Sequence, residues 1–183
     1  MKKWLRENRS FIFLMFIMLA ARSSFADHYV VPSGSMEQTL QPGDRVVVDK
    51  RAYGLRIPFT LVKVVPGEPP ARGDVIVFDA PDDGTRLIKR IVAVGGDILE
   101  VRNGHVFING QPGDAKAVLN LQMGGGPDVP PIRVPAGEVF AMGDLRGNSR
   151  DSRYFGFVRE DMIYAKAARV YYRSGEGFTW KPL

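Results

Sequence analysis

Residues 87–94, Leu87-Ile88-Lys89-Arg90-Ile91-Val92-Ala93-Val94, read "LIKRIVAV". A short run this rich in β-branched residues is a strand. Side chains alternate across a strand, so Leu87, Lys89, Ile91 and Ala93 share one face, and Ile88, Arg90, Val92 and Val94 the other. Each face carries one cation among apolar neighbours. The same signature recurs on both sides of this run. Arg45–Asp49, "RVVVD", and Asp74–Phe78, "DVIVF", each follow a Gly-Asp turn. Ile98–Arg102 and His105–Ile108 flank Asn103-Gly104, the strongest short hairpin signal. Val139–Met142 and Ala167–Tyr172 complete the set.

The 183 residues, 45% hydrophobic, suffice for one domain with a core. The 20 Gly and 13 Pro punctuate many short strands better than a helix bundle, so the fold class is mainly β. The Gly/Pro-rich segment 110–137 reads as an extended excursion from the core. Tyr53–Pro70, with four prolines and an apolar run, reads as a lipid-facing loop or a buried edge segment.

The chain has no cysteine, which excludes disulfides and thiol nucleophiles. With only His28 and His105, the common zinc sites are disfavoured and no metal or cofactor is expected. Net charge is +5. Much of it sits in residues 1–9, where Lys2, Lys3, Arg6 and Arg9 oppose Glu7 alone. This is a topology signal, not a nucleic-acid footprint.

Next comes Phe11–Ala21, "FIFLMFIMLAA". Its length, and Ser24-Phe25-Ala26 as a small-x-small site, fit a cleaved signal peptide. The alternative is an anchor over residues 10–26, in which Arg22 snorkels to the interface. Both readings put the basic end in the cytoplasm and residues 27–183 outside.

Val31–Leu40, "VPSGSMEQTL", sets two serines around a glycine. A serine nucleophile needs a base. His28 and His105 show no obvious triad order, although spacing does not exclude one. Arg90 cannot lose its proton in a protein, but a buried lysine can. That makes Lys89 a candidate base, against the plainer reading of an edge-strand charge that blocks aggregation. A second polar cluster, Met142–Val158 "MGDLRGNSRDSRYFGFV", crowds Asp144, Arg146, Asn148, Ser149, Arg150, Asp151, Ser152 and Arg153 before an aromatic block. Packing such a loop onto the core would require partners for its charges.

Taken together, "PSGSM" (32–36), "KRIV" (89–92) and "GDLRGNSRDSRYFGFV" (143–158) resemble the bacterial type I signal peptidases, which use a Ser/Lys dyad. "GDRVVVDK" (43–50) and "RGDVIVF" (72–78) are similar to that family as well. The resemblance implies an antiparallel β catalytic domain behind one transmembrane helix in the bacterial cytoplasmic membrane. It gives Ser35 the role of nucleophile and Lys89 that of general base. Ser33 is to share the oxyanion with the Ser35 N–H, Ser149 to hydrogen-bond and orient the lysine, and Asp151 and Arg153 to form a supporting ion pair. Asp144 and Arg90 stand as further supports, and Val31, Pro32, Met36, Leu40 and Ile88 as walls of a pocket for small side chains. Gly34 is to permit the turn between the serines. The substrates implied are exported preproteins with small residues at −1 and −3; membrane lipid is the other contact. The chain departs from the family in lacking its proline before Thr39 and in carrying Leu145, Gly147 and Gly95 at positions where Asn, Asp and Pro are usual. The family's inserted second domain is much reduced, with segment 110–137 as its remnant. Two other readings stay open: a self-cleaving repressor-like Ser/Lys peptidase and a non-catalytic envelope β module.

Overall fold

The computed structural model describes residues 4, 8–57, 63–113, 117–119 and 122–183. It opens with helix α1 (Arg9–Ser24), which runs into strand β1 (Ala26–Val30). The further strands are β2 (Arg45–Asp49), β3 (Gly54–Arg56), β4 (Lys63–Pro66), β5 (Val75–Asp79), β6 (Arg86–Val94), β7 (Ile98–Arg102), β8 (His105–Ile108), β9 (Gln111–Pro112), β10 (Val129–Arg133), β11 (Glu138–Met142), β12 (Val158–Arg159), β13 (Ile163–Arg173) and β14 (Gly177–Pro182), with a short helix α2 (Ser152–Phe155) between β11 and β12.

The main sheet has the order β1-β2-β13-β5-β6-β11-β12, every pairing antiparallel. Strand β13 binds it together. One edge of β13 pairs with β2, and the other is shared by β5 near its start and β14 near its end. A smaller sheet, β10-β7-β8-β9, and the β3–β4 ribbon complete the molecule.

Continuous apolar runs in β5 and β6 follow from burial on both faces. Val75 and Val77 pack with Val46, Val48, Ala165 and Val170, whereas Ile76 and Phe78 pack with Ile91, Val139 and Ile163. Val92 and Ala93 reach a third cluster with Leu99, Val101 and Phe140. Strand β6 therefore contributes to all three clusters, and Lys89 and Arg90 are carried inside with it. The expected aggregation-blocking edge charge is ruled out here, because β6 lies between β5 and β11.

The Asn103-Gly104 hairpin forms as read, with φ of 48° and 80°, the left-handed pair that a type I′ turn needs. Segment 110–137 is described in part. Its described residues return to the core: β9 and β10 border the smaller sheet, Val118 bridges to Leu145, and Gly125 packs against Asn103-Gly104. Only glycine fits at 125, where a Cβ would lie 2.3 Å from the Asn103 carbonyl carbon. The segment Tyr53–Pro70 has both buried and exposed apolar residues. Tyr53 is buried, while Val64 and Val65 on β4 and Ile57 just past β3 are exposed; residues 58–62 lie outside the described set.

Helix α1 has 16 residues, about 24 Å at 1.5 Å per residue. Among the described residues, no helix is long and apolar enough to cross a membrane. From Phe11 to Leu19 every side chain is exposed.

Candidate active site

Ser35 sits in a single 3₁₀ turn, Gly34–Met36, between β1 and β2. Lys89 reaches it from β6, and Lys89 Nζ lies 2.6 Å from Ser35 Oγ. Both groups are buried, Lys89 to 3% exposure and Ser35 to 7%. Burial penalises the ammonium and pulls the lysine down to about 8; Asp151 and Asp144 act in the opposite direction. A charged ammonium has three N–H donors. Here Ser35 Oγ is its one hydrogen-bond partner among the described residues. The amine therefore loses its proton far more readily than an exposed lysine.

Ser33 Oγ stands 3.5 Å from Ser35 Oγ, at the limit of a hydrogen bond. The Ser33 hydroxyl is thus close to that of Ser35 without being tightly bound to it. Gly34 was expected to permit a turn between the serines that a side chain could block. Its φ is not in the left-handed region; what a Cβ there would meet is the flexible Glu37 carboxylate, 2.3 Å away. The residue that adopts the left-handed conformation is Gln38, with φ of 71°.

Ser149 is buried beside the serine turn, but the hydrogen bond to Lys89 implied by the resemblance is not formed. Its Oγ has no partner among the described residues. It points at Gly143 instead: a Cβ on Gly143 would lie 2.2 Å from Ser149 Oγ and 2.5 Å from the Ser35 carbonyl oxygen. Gly143 is what lets these two serines approach each other.

Two ion pairs flank the dyad. Arg90 donates from Nε to Asp144 Oδ1 at 2.9 Å and from Nη2 to Oδ2 at 2.8 Å. Arg153 donates from Nε to Asp151 Oδ1 and from Nη2 to Oδ2, both at 2.8 Å, with both side chains shielded from water. Asp151 also accepts from the Gly143 N–H at 3.0 Å and caps α2. Such forked pairs hold two chain segments in one geometry. Asp144, Arg90, Asp151 and Arg153 are thus all brought around Lys89.

Of the five expected pocket walls, Val31, Met36, Leu40 and Ile88 are at most 3% exposed and share one core cluster under the serine. In this structure they are core packing rather than open walls, because their apolar surface is already matched by Val46, Val75 and Ala165. Pro32 is exposed. His28 and His105 are exposed, on β1 and β8, and neither bonds to Ser35.

Several site-forming residues were not legible in the sequence. Thr39 joins the Arg90–Asp144 pair, donating to Asp144 Oδ2 at 2.6 Å and accepting from Arg90 Nη2 at 3.1 Å. Arg146 is wholly buried and bonds the Gly104 carbonyl at 2.7 Å, which ties the site loop to the β7–β8 hairpin. Asp44 and Arg173 form a third buried pair at 2.7 Å. A charged residue inside an apolar run marks Arg173, but nothing in the spacing links it to Asp44.

The sequence profile described as "Signal peptidase, peptidase S26" matches residues 1–172. Signal peptidase I of Pseudomonas aeruginosa is 36% identical, over 89% of this chain and 70% of its own length. Probable signal peptidase I-1 of Synechocystis is 35% identical, over 90% and 81%. A solved signal peptidase I from Enterococcus faecalis V583 is 29% identical at a TM-score of 0.47, covering 54% of this chain and 97% of that one. The chain belongs to the signal peptidase family, peptidase S26.

Proposed function

We propose that this chain removes N-terminal signal peptides from exported preproteins, cutting after small residues at −1 and −3, with Ser35 as nucleophile and Lys89 as general base. The observation that carries this reading is the 2.6 Å contact between a buried, easily deprotonated lysine and a serine oxygen. Neutral Lys89 takes the Ser35 proton as Oγ attacks the scissile carbonyl. The oxyanion is held by the Ser35 N–H and the Ser33 hydroxyl. The lysine then gives its proton to the leaving amine. Water, deprotonated by Lys89, hydrolyses the ester and restores Ser35. The reaction needs no cofactor. Asp144, Arg90, Asp151 and Arg153 hold the surrounding loops in place, and Ser149 turns toward the lysine in the reacting complex. Val31, Met36, Leu40 and Ile88 underlie the substrate site, with Pro32 at its rim.

Residues 1–9 lie in the bacterial cytoplasm, residues 10–26 enter the membrane, and residues 27–183 form the peptidase domain on the outer face. A helix with apolar side chains exposed on every side is stable when lipid surrounds it. Where the apolar stretch is shorter than the hydrocarbon core, bilayer thinning absorbs the difference at modest cost. The cleavage site of an exported chain emerges at that surface, so tethering raises the effective concentration of Ser35 there.

The test is cleavage of a purified preprotein carrying an Ala-x-Ala site, with N-terminal sequencing of the product. Wild-type enzyme should cut after the second alanine, while Ser35→Ala and Lys89→Ala should not. Retention of cleavage by folded Lys89→Ala would remove the lysine from the mechanism.

A further inference from the structure

The serine turn is held at its far end by Thr39, where two buried ion pairs converge. The hydroxyl of Thr39 donates to Asp144 Oδ2 at 2.6 Å and accepts from Arg90 Nη2 at 3.1 Å. Its carbonyl accepts from Arg173 Nη2 at 3.2 Å, and Arg173 is itself paired with buried Asp44. Its N–H donates to the Met36 carbonyl at 3.1 Å, closing the turn that directly follows Ser35. On the near side, the Leu145 N–H donates to the Ser35 carbonyl at 3.1 Å. Leu145 follows Asp144, and Arg90 follows Lys89. The strand and the loop beside the reacting groups are therefore the same ones that hold Thr39.

We infer that Thr39 is a positioning residue that sets the register of Ser35 against Lys89, a role that rests on the dyad reading above. The chemistry of the contact selects the side chain. An arginine offers only donors and a carboxylate only acceptors. A group bonded to both at once must accept and donate, and a hydroxyl does both with one atom. The proton of Thr39 is thereby committed to Asp144, and the rotamer is fixed. Valine has the same shape and does neither. Serine does both but lacks the methyl group. Loss of the hydroxyl leaves Arg90 and Asp144 paired with each other, so the fold keeps its buried charges satisfied while the serine turn loses its tie to β6. Catalytic distances are sensitive to such shifts, and a misplacement of about 1 Å costs up to about 10²-fold in rate.

The experiment compares wild type, Thr39→Val and Thr39→Ser on a peptide with an Ala-x-Ala site, reading kcat and KM separately. Urea unfolding of each variant runs in parallel, with Ser35→Ala as the dyad control. Thr39→Val is expected to lose about tenfold to about 100-fold in kcat with KM little changed. Thr39→Ser is expected to stay within about threefold of wild type, because it restores the hydroxyl. Folded Thr39→Val with wild-type kcat would overturn the inference. So would a Thr39→Ser enzyme with a large kcat loss, which would assign the effect to methyl packing. If Thr39→Val does not fold, the Thr39→Ser result decides the matter alone. Wild-type cleavage that disappears in Ser35→Ala upholds the dyad independently of either Thr39 result.

Discussion

Lys89 Nζ and Ser35 Oγ lie 2.6 Å apart in a buried contact, although 54 positions separate them in the chain. Burial is the main reason the lysine falls to about 8. If the neutral amine is the base, the single-turnover cleavage rate should rise about tenfold per pH unit below that value and level off above it. A rate that is flat between pH 6 and 9 would exclude lysine deprotonation as the controlling titration.

The same burial predicts a stability cost. The folded-state value of Lys89 lies below its ordinary 10.5. Between about 8 and 10.5 the unfolded chain therefore binds more protons, and this group makes stability rise with pH through that window. Below it, the whole penalty is present. Lys89→Met should be inactive yet more stable than wild type at pH 7 by about 1–3 kcal/mol. The difference should shrink toward pH 10. Urea denaturation of both proteins at the two pH values measures it.

Ser33 Oγ stands 3.5 Å from Ser35 Oγ and is not held in a strong hydrogen bond. Ser33→Ala should cost about 10²–10³ in kcat with KM little changed, the range for loss of one oxyanion donor. Steady-state kinetics that show wild-type kcat would leave Ser33 with only a structural part.

Gln38 adopts a φ of 71°, which is closed to proline. Gln38→Pro should therefore distort the serine turn and lower both stability and activity. Gln38→Gly should match or exceed wild-type stability by up to about 1 kcal/mol, because glycine adopts that conformation freely. Thermal unfolding of the pair tests this, and a Gln38→Pro protein as stable as wild type would contradict the turn geometry.

Ser149 Oγ is buried without a hydrogen-bond partner among the described residues. Removing it leaves no partner unsatisfied, so Ser149→Ala should not lower stability and should raise it by up to about 1 kcal/mol. Loss of kcat in that same stable variant would locate the hydroxyl's use in the reacting complex. A stability loss of more than about 1 kcal/mol would mean that the free protein already uses the hydroxyl.

Strands announced themselves where local pattern and burial agree. "RVVVD", "DVIVF" and "LIKRIVAV" needed only β-branched composition and flanking turns, and Asn103-Gly104 needed only its left-handed conformation. The reacting residue types were legible too, because a lysine inside an apolar strand and two serines around a glycine are chemically conspicuous. Their pairing rested on resemblance, since nothing in the spacing of Ser35 and Lys89 measures a distance. In segment 110–137 glycine and proline signal turns without saying where the chain goes next. Its return to Asn103-Gly104 depends on Gly125 and on the guanidinium of Arg153, which donates to the Gly125 carbonyl. Local composition and side-chain chemistry were enough for the β-rich class, the apolar N-terminal run and the candidate residue types, while the roles of Ser35 and Lys89 came from the resemblance. Only the tertiary structure decided that Thr39 joins Arg90 to Asp144, that Arg173 meets Asp44, and that Ser149 faces Gly143 rather than the lysine. Those contacts join residues far apart in the chain, and buried charges and hydroxyls take whichever partners the packed sheets bring within reach.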